Sequence, residues 1–401
     1  MRNVPLMSLA DIAESVRYGY TASASDSEVG PKFLRITDIV RPQIDWANVP
    51  YCEINEKDIA RFSLEPGDIV IARTGATVGY AKLIRDTEPS VFASYLVRIR
   101  IDPEKADPGY IGRIVESRVY KRFVLSHVGG AAQPNANAKV LSSFRLPIPG
   151  RATQRCISSI LSAYDDLIEN NRRRIQLLEQ AARLLYKEWF VHLRFPGHEH
   201  VTITDGLPEG WEKRTVPEII EIKPKEATPK GTPIRYVPMA GLSTSGMTVD
   251  LSDSEIRTKS TSVRYRNGDI LFARITPCLE NGKTGFVNFL REDEVACGST
   301  EFIVLRGRLV SPYFAYCLAR THDFRETAIK SMIGSSGRQR VQSSCFDDFA
   351  VARPPRFLRD EFDRACEPIF RQVAGLASQI QSLGEARDIL LPRLMNGKVT
   401  V

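Results

Sequence analysis

The chain has 401 residues, 43% of them hydrophobic and 26% charged, with a formal net charge of +7 and a pI near 9.0. This is the make-up of an ordinary soluble globular protein large enough for two or three domains, and the small basic excess favours an acidic partner such as nucleic acid only weakly. The seven cysteines contain no CxxC, the start Met1-Arg2-Asn3-Val4-Pro5 has no apolar stretch and no apolar run nears 18 residues; a disulfide framework, a zinc ribbon, a signal peptide and a membrane span are all unexpected, and reduced thiols in a cytosolic protein are.

Residues 1–150 read as a mixed α/β domain. β-branched runs such as Asp68-Ile69-Val70-Ile71-Ala72 and Tyr95-Leu96-Val97-Arg98-Ile99-Arg100-Ile101 are punctuated by Gly and Pro. Tyr110, Ile111, Ile114, Val115, Val119 and Phe123 predict one helix over about 108–126. A long helix follows within 151–194, starting near Thr153 and stopping before Phe195-Pro196-Gly197. Its apolar seam alternates steps of four and three through Ile157, Leu161, Tyr164, Ile168, Asn171, Ile175, Leu178, Ala182, Leu185 and Trp189. Those are heptad positions, so the helix needs a partner helix. Residues 195–210 form a linker, 211–355 a second α/β domain, and 356–401 a second helical segment with its helix over about 357–395. There the seam returns as Phe362, Cys366, Ile369, Val373, Leu376, Ile380, Leu383, Arg387, Leu390 and Leu394. Asn396-Gly397 offers a C-terminal stop, and Pro392 predicts an end or a kink one turn earlier.

The second seam lies about 205 residues after the first, and other landmarks keep that register. Leu9-Ala10-Asp11-Ile12 matches Val216-Pro217-Glu218-Ile219, and Gly67-Asp68-Ile69-Val70-Ile71-Ala72-Arg73 matches Gly268-Asp269-Ile270-Leu271-Phe272-Ala273-Arg274. Ser94 precedes Tyr95 as Thr300 precedes Glu301, and Gly129 stands before Phe144 as Gly334 stands before Phe349. A period this long is not a solenoid repeat. It predicts a duplicated module, domain then helix, with the two helices packed antiparallel about an internal pseudo-twofold. Two helices each packed on its own domain are the alternative. Polar Asn171 and Arg387 on the seam are expected to fix register.

No catalytic constellation is present: GxGxxG after a strand, GxxxxGK[ST], GxSxG and HExxH are all missing. His198-Glu199-His200 lies in a polar linker with no further ligand in view, so no metal site is expected. Arg172-Arg173-Arg174 is either a solvated helix face or a contact to an acidic partner. The stronger signal is in loops. Arg73-Thr74-Gly75-Ala76-Thr77-Val78-Gly79 follows a strand, and its counterpart is Arg274-Ile275-Thr276-Pro277 continuing to Asn281-Gly282-Lys283-Thr284-Gly285. A second set is Gly129-Gly130-Ala131-Ala132-Gln133-Pro134-Asn135-Ala136-Asn137 against Gly334-Ser335-Ser336-Gly337-Arg338-Gln339-Arg340. Arg reads guanine edges and Asn or Gln adenine edges by paired hydrogen bonds, while small residues let the backbone approach phosphates. Turn chemistry accounts for either loop alone; duplicated loops with changed side chains favour recognition. The candidate DNA-binding residues are Arg73, Thr74, Thr77, Gln133, Asn135, Asn137, Arg274, Thr276, Asn281, Lys283, Arg338, Gln339 and Arg340, led by Arg73 and Arg274. Arg73 also reads as a structural arginine at a strand end.

In these features the chain resembles the specificity subunits of type I restriction–modification systems. Leu146-Pro147-Ile148-Pro149 before the first helix, Leu207-Pro208-Glu209-Gly210-Trp211 opening the second half, Gly67-Asp68-Ile69 with Arg73-Thr74-Gly75, and Ile168-Glu169-Asn170-Asn171 carry the likeness. In the second helix Gly384, Arg387 and Pro392 stand in for better helix formers, so its last two turns are expected to be irregular. The resemblance implies two target-recognition domains joined by conserved helical spacers in a non-catalytic subunit. It implies double-stranded DNA as ligand, two methyltransferase subunits carrying S-adenosylmethionine, and restriction–translocation subunits as partners, in the cytoplasm of a bacterium or archaeon. No cofactor is expected in this chain. A self-contained methyltransferase or nuclease would need a cofactor loop and catalytic motif; a protein-only coiled-coil adaptor accounts for the seams but not for the duplicated polar loops.

Overall fold

Residues 4–40, 43–128, 134–228, 231–258, 262–335 and 337–395 are described by the computed structural model. They fall into two units, one of Met1–Leu167 with Leu383–Val401, the other of Ile168–Ser382.

In the first unit a four-stranded antiparallel sheet has the order β1 (Ala13–Tyr18), β4 (Leu96–Ile101), β2 (Ile69–Ala72), β3 (Ala81–Leu83). Every residue of β2 is buried, which is why it reads as an unbroken apolar run. Its side chains alternate between two cores: Ile69 and Ile71 pack with Tyr110, Ile114 and Val124, while Val70 and Ala72 pack with Leu34, Phe92 and Leu96. The Gly-Asp before β2 builds the turn into the strand. Gly67 has φ +98, and buried Asp68 accepts the Glu65 amide at 2.9 Å and the Arg100 guanidinium at 2.8 and 2.9 Å.

Helices α1 (Pro108–Val115) and α2 (Arg118–His127) replace the single helix expected over 108–126. The chain breaks because Ser117 takes an extended conformation and bonds back to the Ile114 carbonyl at 2.6 Å, while Glu116 turns to accept the Leu83 amide at 2.8 Å. The long helix α3 (Arg151–Tyr186) starts two residues before Thr153 and runs into a π-helical segment, Lys187–Val191.

The second unit repeats the plan: β5 (Ile220–Ile222), β8 (Phe302–Gly307), β6 (Ile270–Ala273) and β7 (Thr284–Phe286) form an antiparallel sheet in that order. Gly268 has φ +85, and buried Asp269 accepts the Arg266 amide at 2.8 Å and both edge nitrogens of Arg306 at 2.7 Å. α4 (Pro312–Ala319) and α5 (His322–Lys330) follow, as α1 and α2 do. The last helix, α6 (Arg356–Met395), is 40 residues long.

Both long helices contribute to each unit. In the second, Asn171 on α3 donates to Gln379 on α6 at 3.2 Å, and fifteen residues on, Tyr186 meets Phe362 with ring centroids 6.1 Å apart. Rising numbers on α3 meet falling numbers on α6, so the segments are antiparallel. In the first unit Ile157 and Leu161 share a core with Leu394, flanked by half-buried Leu390.

Burial along the heptad seam is uneven. Ile157, Leu161, Ile168 and Ile175 are buried, as are Phe362, Val373 and Leu376, but Tyr164, Leu178, Leu185, Ile369, Ile380, Leu383 and Leu390 are only half-buried. Glu179, Tyr186, Phe190 and Phe370 go inside instead. A straight α-helix drifts about 20° per heptad from a seven-residue repeat, and in the second unit the helices also bury a face against the sheet core. Pro392 neither ends nor interrupts α6, which continues to Met395; Asn396-Gly397 lies outside the described residues. Among the described residues no helix is long and apolar enough to cross a membrane, and no three His, Cys, Asp or Glu side chains gather as a metal site.

Candidate nucleic-acid interface

Where β2 ends, the chain is held on both sides. The Arg73 amide donates to the Tyr95 carbonyl at 3.0 Å, and the Arg73 carbonyl accepts the Ala136 amide at 2.8 Å. Thr74 and Asn135 form an antiparallel bridge, and the Gly75 amide donates to the Pro134 carbonyl at 3.0 Å. Where β6 ends, Arg274 donates to Glu301 at 3.0 Å and accepts from Val341 at 2.8 Å, Ile275 bridges Arg340, and Thr276 donates to Gln339 at 3.1 Å. The two loop sets of each half are thus brought together by one backbone frame that occurs twice. Thr74 corresponds to Ile275, Tyr95 to Glu301, and Asn135 to Arg340.

The side chains on that frame differ. In the first unit Arg73 is half-buried, its guanidinium 4.9 Å from the centre of the Tyr18 ring and its Nε without a hydrogen-bond partner. The Tyr18 hydroxyl accepts the Ala138 amide at 2.9 Å. Tyr95 is 60% exposed, and Asn135 is exposed beside it on the frame. Thr74 and Thr77 are half-buried, with the Thr77 hydroxyl 3.5 Å from the Thr74 carbonyl. Asn137 caps the helix Ala138–Ser142 by accepting the Val140 amide at 2.9 Å, so its oxygen is committed to the fold. Gln133 lies outside the described residues.

In the second unit Arg274 turns inward and donates to the Val341 carbonyl at 3.2 Å. Lys223, which bonds Ser343 Oγ at 3.0 Å, is held below the usual ammonium range by burial and by the neighbouring Arg274 charge. The Thr276 hydroxyl is locked to the Gln339 backbone at 3.2 and 3.1 Å. Lys283 donates to the Met239 carbonyl at 3.0 Å, and Asn281 sits exposed in the turn after β6. Arg338 is exposed and Gln339 half-buried. Arg340 is gripped by Glu301, its Nε 3.0 Å from both carboxylate oxygens and its Nη2 2.7 Å from one; this pairing raises the guanidinium pKa.

The leading candidates, Arg73 and Arg274, are half-buried, whereas Asn135, Arg338 and Arg340 are exposed. Tyr18, Tyr95 and Glu301 were not among the sequence candidates. Tyr95 and Glu301 occupy matched places in the repeat, and that match was their one signal. The set offers amide, guanidinium, phenol and carboxylate groups, the donors and acceptors that read base edges.

Residues 1–180 match the family model described as the type I restriction modification DNA specificity domain. The chain is 23% identical to the type I restriction enzyme MjaIX specificity subunit of Methanocaldococcus jannaschii, over 89% of this chain and 85% of that protein. It is 35% identical to the type I restriction enzyme EcoEI specificity subunit of Escherichia coli, over 37% of this chain and 26% of that one. Among solved structures, the S subunit of a type I restriction–modification system from M. genitalium aligns with a TM-score of 0.55 at 13% identity, covering 98% of this chain and 97% of that chain. At that identity the likeness is one of fold.

Proposed function

The chain belongs to the family of type I restriction–modification specificity subunits, and from that premise we propose that each of its α/β domains reads one half of a bipartite, asymmetric DNA target. The observation that carries this reading is the repeated loop frame with unlike side chains: Asn135 and Tyr95 in one half, Arg340 and Glu301 in the other. One scaffold used twice presents equivalent surfaces to two stretches of duplex, and changed side chains give each its own sequence.

The chain itself is non-catalytic in this account. Its helical segments dock two methyltransferase subunits, which bring S-adenosylmethionine and the methyl-transfer chemistry, and restriction–translocation subunits join that core. The long helices act as a ruler. A 40-residue helix such as α6 is about 60 Å long; less the stretches of it that pack into the domain cores, it suits half-site centres about one turn of B-DNA, about 34–36 Å, apart with an unread gap.

The test is to assemble the full chain with its methyltransferase subunits, expose DNA to the complex and map the methylated positions. The expected result is one motif of two unlike half-sites at fixed spacing. A single contiguous motif, or methylation without sequence preference, contradicts the proposal.

A further inference from the structure

Arg340 is fixed at both ends. Its amide donates to the Ile333 carbonyl at 2.9 Å, its carbonyl accepts the Ile333 amide at 3.1 Å, and the next residue, Val341, donates to Arg274 at 2.8 Å. At the tip, Glu301 takes the Nε and one Nη2 hydrogen, while the Arg340 side chain stays 46% exposed. The edge formed by Nη1 and the outer Nη2 hydrogen is left pointing away from the carboxylate. An exposed ion pair contributes little to stability, so holding the fold does not account for this clamp. It does remove rotamer freedom that a long side chain otherwise loses on binding. It also selects the ligand, since a phosphate on this guanidinium would sit beside the Glu301 carboxylate, whereas a guanine edge offers the neutral acceptors O6 and N7 to the open fork.

Resting on the DNA-reading function proposed above, we infer that Arg340 reads a guanine in the half-site of the second domain, with Glu301 as the residue that positions it. Asn135, on the matching bridge of the first domain, reads an adenine at the corresponding place. Tyr95 stands there instead of Glu301, and the short Asn amide needs no clamp to present its two-sided edge to adenine N6 and N7.

The experiment uses the full chain assembled with its methyltransferase subunits and a DNA pool randomised across both half-sites, with the wild type compared to R340K, E301Q and N135Q. R340K keeps the charge and loses the fork. It is expected to lower guanine preference at one position of one half-site by about tenfold or more, with other positions unchanged. E301Q is expected to weaken preference at that same position and no other, a pattern that mere loss of fold stability does not give. N135Q is expected to change one position in the opposite half-site. If the wild type selects a bipartite motif but R340K and E301Q leave its guanines intact, or lower affinity evenly for all sequences, the inference is overturned while the function stands. If the wild type selects no bipartite motif, the functional reading falls and this inference with it.

Discussion

At the residue scale, Asp165 gathers three arginines in the first unit. It receives Arg85 at 2.9 Å, Arg387 of α6 at 2.7 Å and the buried Arg113 of α1. Removing one partner of a buried pair strands the other charge, at a cost of about 3–5 kcal/mol. Asp165→Ala is accordingly expected to lower the thermal midpoint of the chain markedly, while Arg85→Ala, which removes the most exposed of the three partners, changes it little; equal effects in differential scanning calorimetry would contradict this ranking. Asp363 on α6 carries the opposite sign. Burial raises its pKa, against the lowering pull of its hydrogen bond with Ser311 and the Arg359 charge, while Asp360 and Glu367 push the same way as burial. A carboxyl with a raised folded pKa binds its proton more tightly in the native state. Its contribution is favourable below the unfolded pKa and is lost as pH rises through the folded value. Asp363→Asn is expected to stabilise the chain at neutral pH, with the gain shrinking as pH falls toward the ordinary carboxylate range; a pH-independent effect in paired melting curves would refute the assignment. Some of this chemistry was legible in the sequence. Asn171 and Arg387 stood out as polar breaks in an apolar seam, and each meets a partner on the other helix, Gln379 and Asp165. Glu179 was not legible: it is buried and accepts the Tyr316 hydroxyl at 2.6 Å and the Met247 amide at 2.7 Å, partners more than sixty residues away.

At the element scale, α6 holds two interior glycines, Gly375 and Gly384, where an added Cβ meets nothing within 4 Å. Neither has the positive φ that requires glycine, and each weakens the helix by about 1 kcal/mol relative to alanine. Gly375→Ala and Gly384→Ala are each expected to stabilise the chain by about that amount in chemical denaturation; a loss of stability at either would show that the missing side chain serves close packing. Central strands β2 and β6 were readable because a strand buried on both faces is an apolar run between turn residues. The break between α1 and α2 was not, because apolar spacing continues across it and only the local bonds of Glu116 and Ser117 interrupt the helix. The joining of each β-end loop to a loop some sixty residues later depends on backbone bridges, which leave no mark in composition. For that reason composition and spacing single out the loop segments but not which of their side chains are exposed on the joined frame.

At the scale of the whole molecule, the proposed reading of a bipartite target depends on spacing as much as on contacts. Two reading domains on unlike half-sites need a fixed separation, and the long helices are the elements whose length can set it. Phosphate contacts alone would give binding that falls steeply with salt and carries no sequence; a bipartite motif with an unread gap requires that each domain read bases and that something hold the gap constant. The most direct measurement is methylation mapping with one heptad inserted into both α3 and α6, in the assembled complex. Seven residues add about 10.5 Å of helix, or about three base pairs at 3.4 Å per step. If the helices set the gap, both half-sites keep their sequences while the gap between them lengthens by about that much; an unchanged gap, with the half-sites still methylated, contradicts that role.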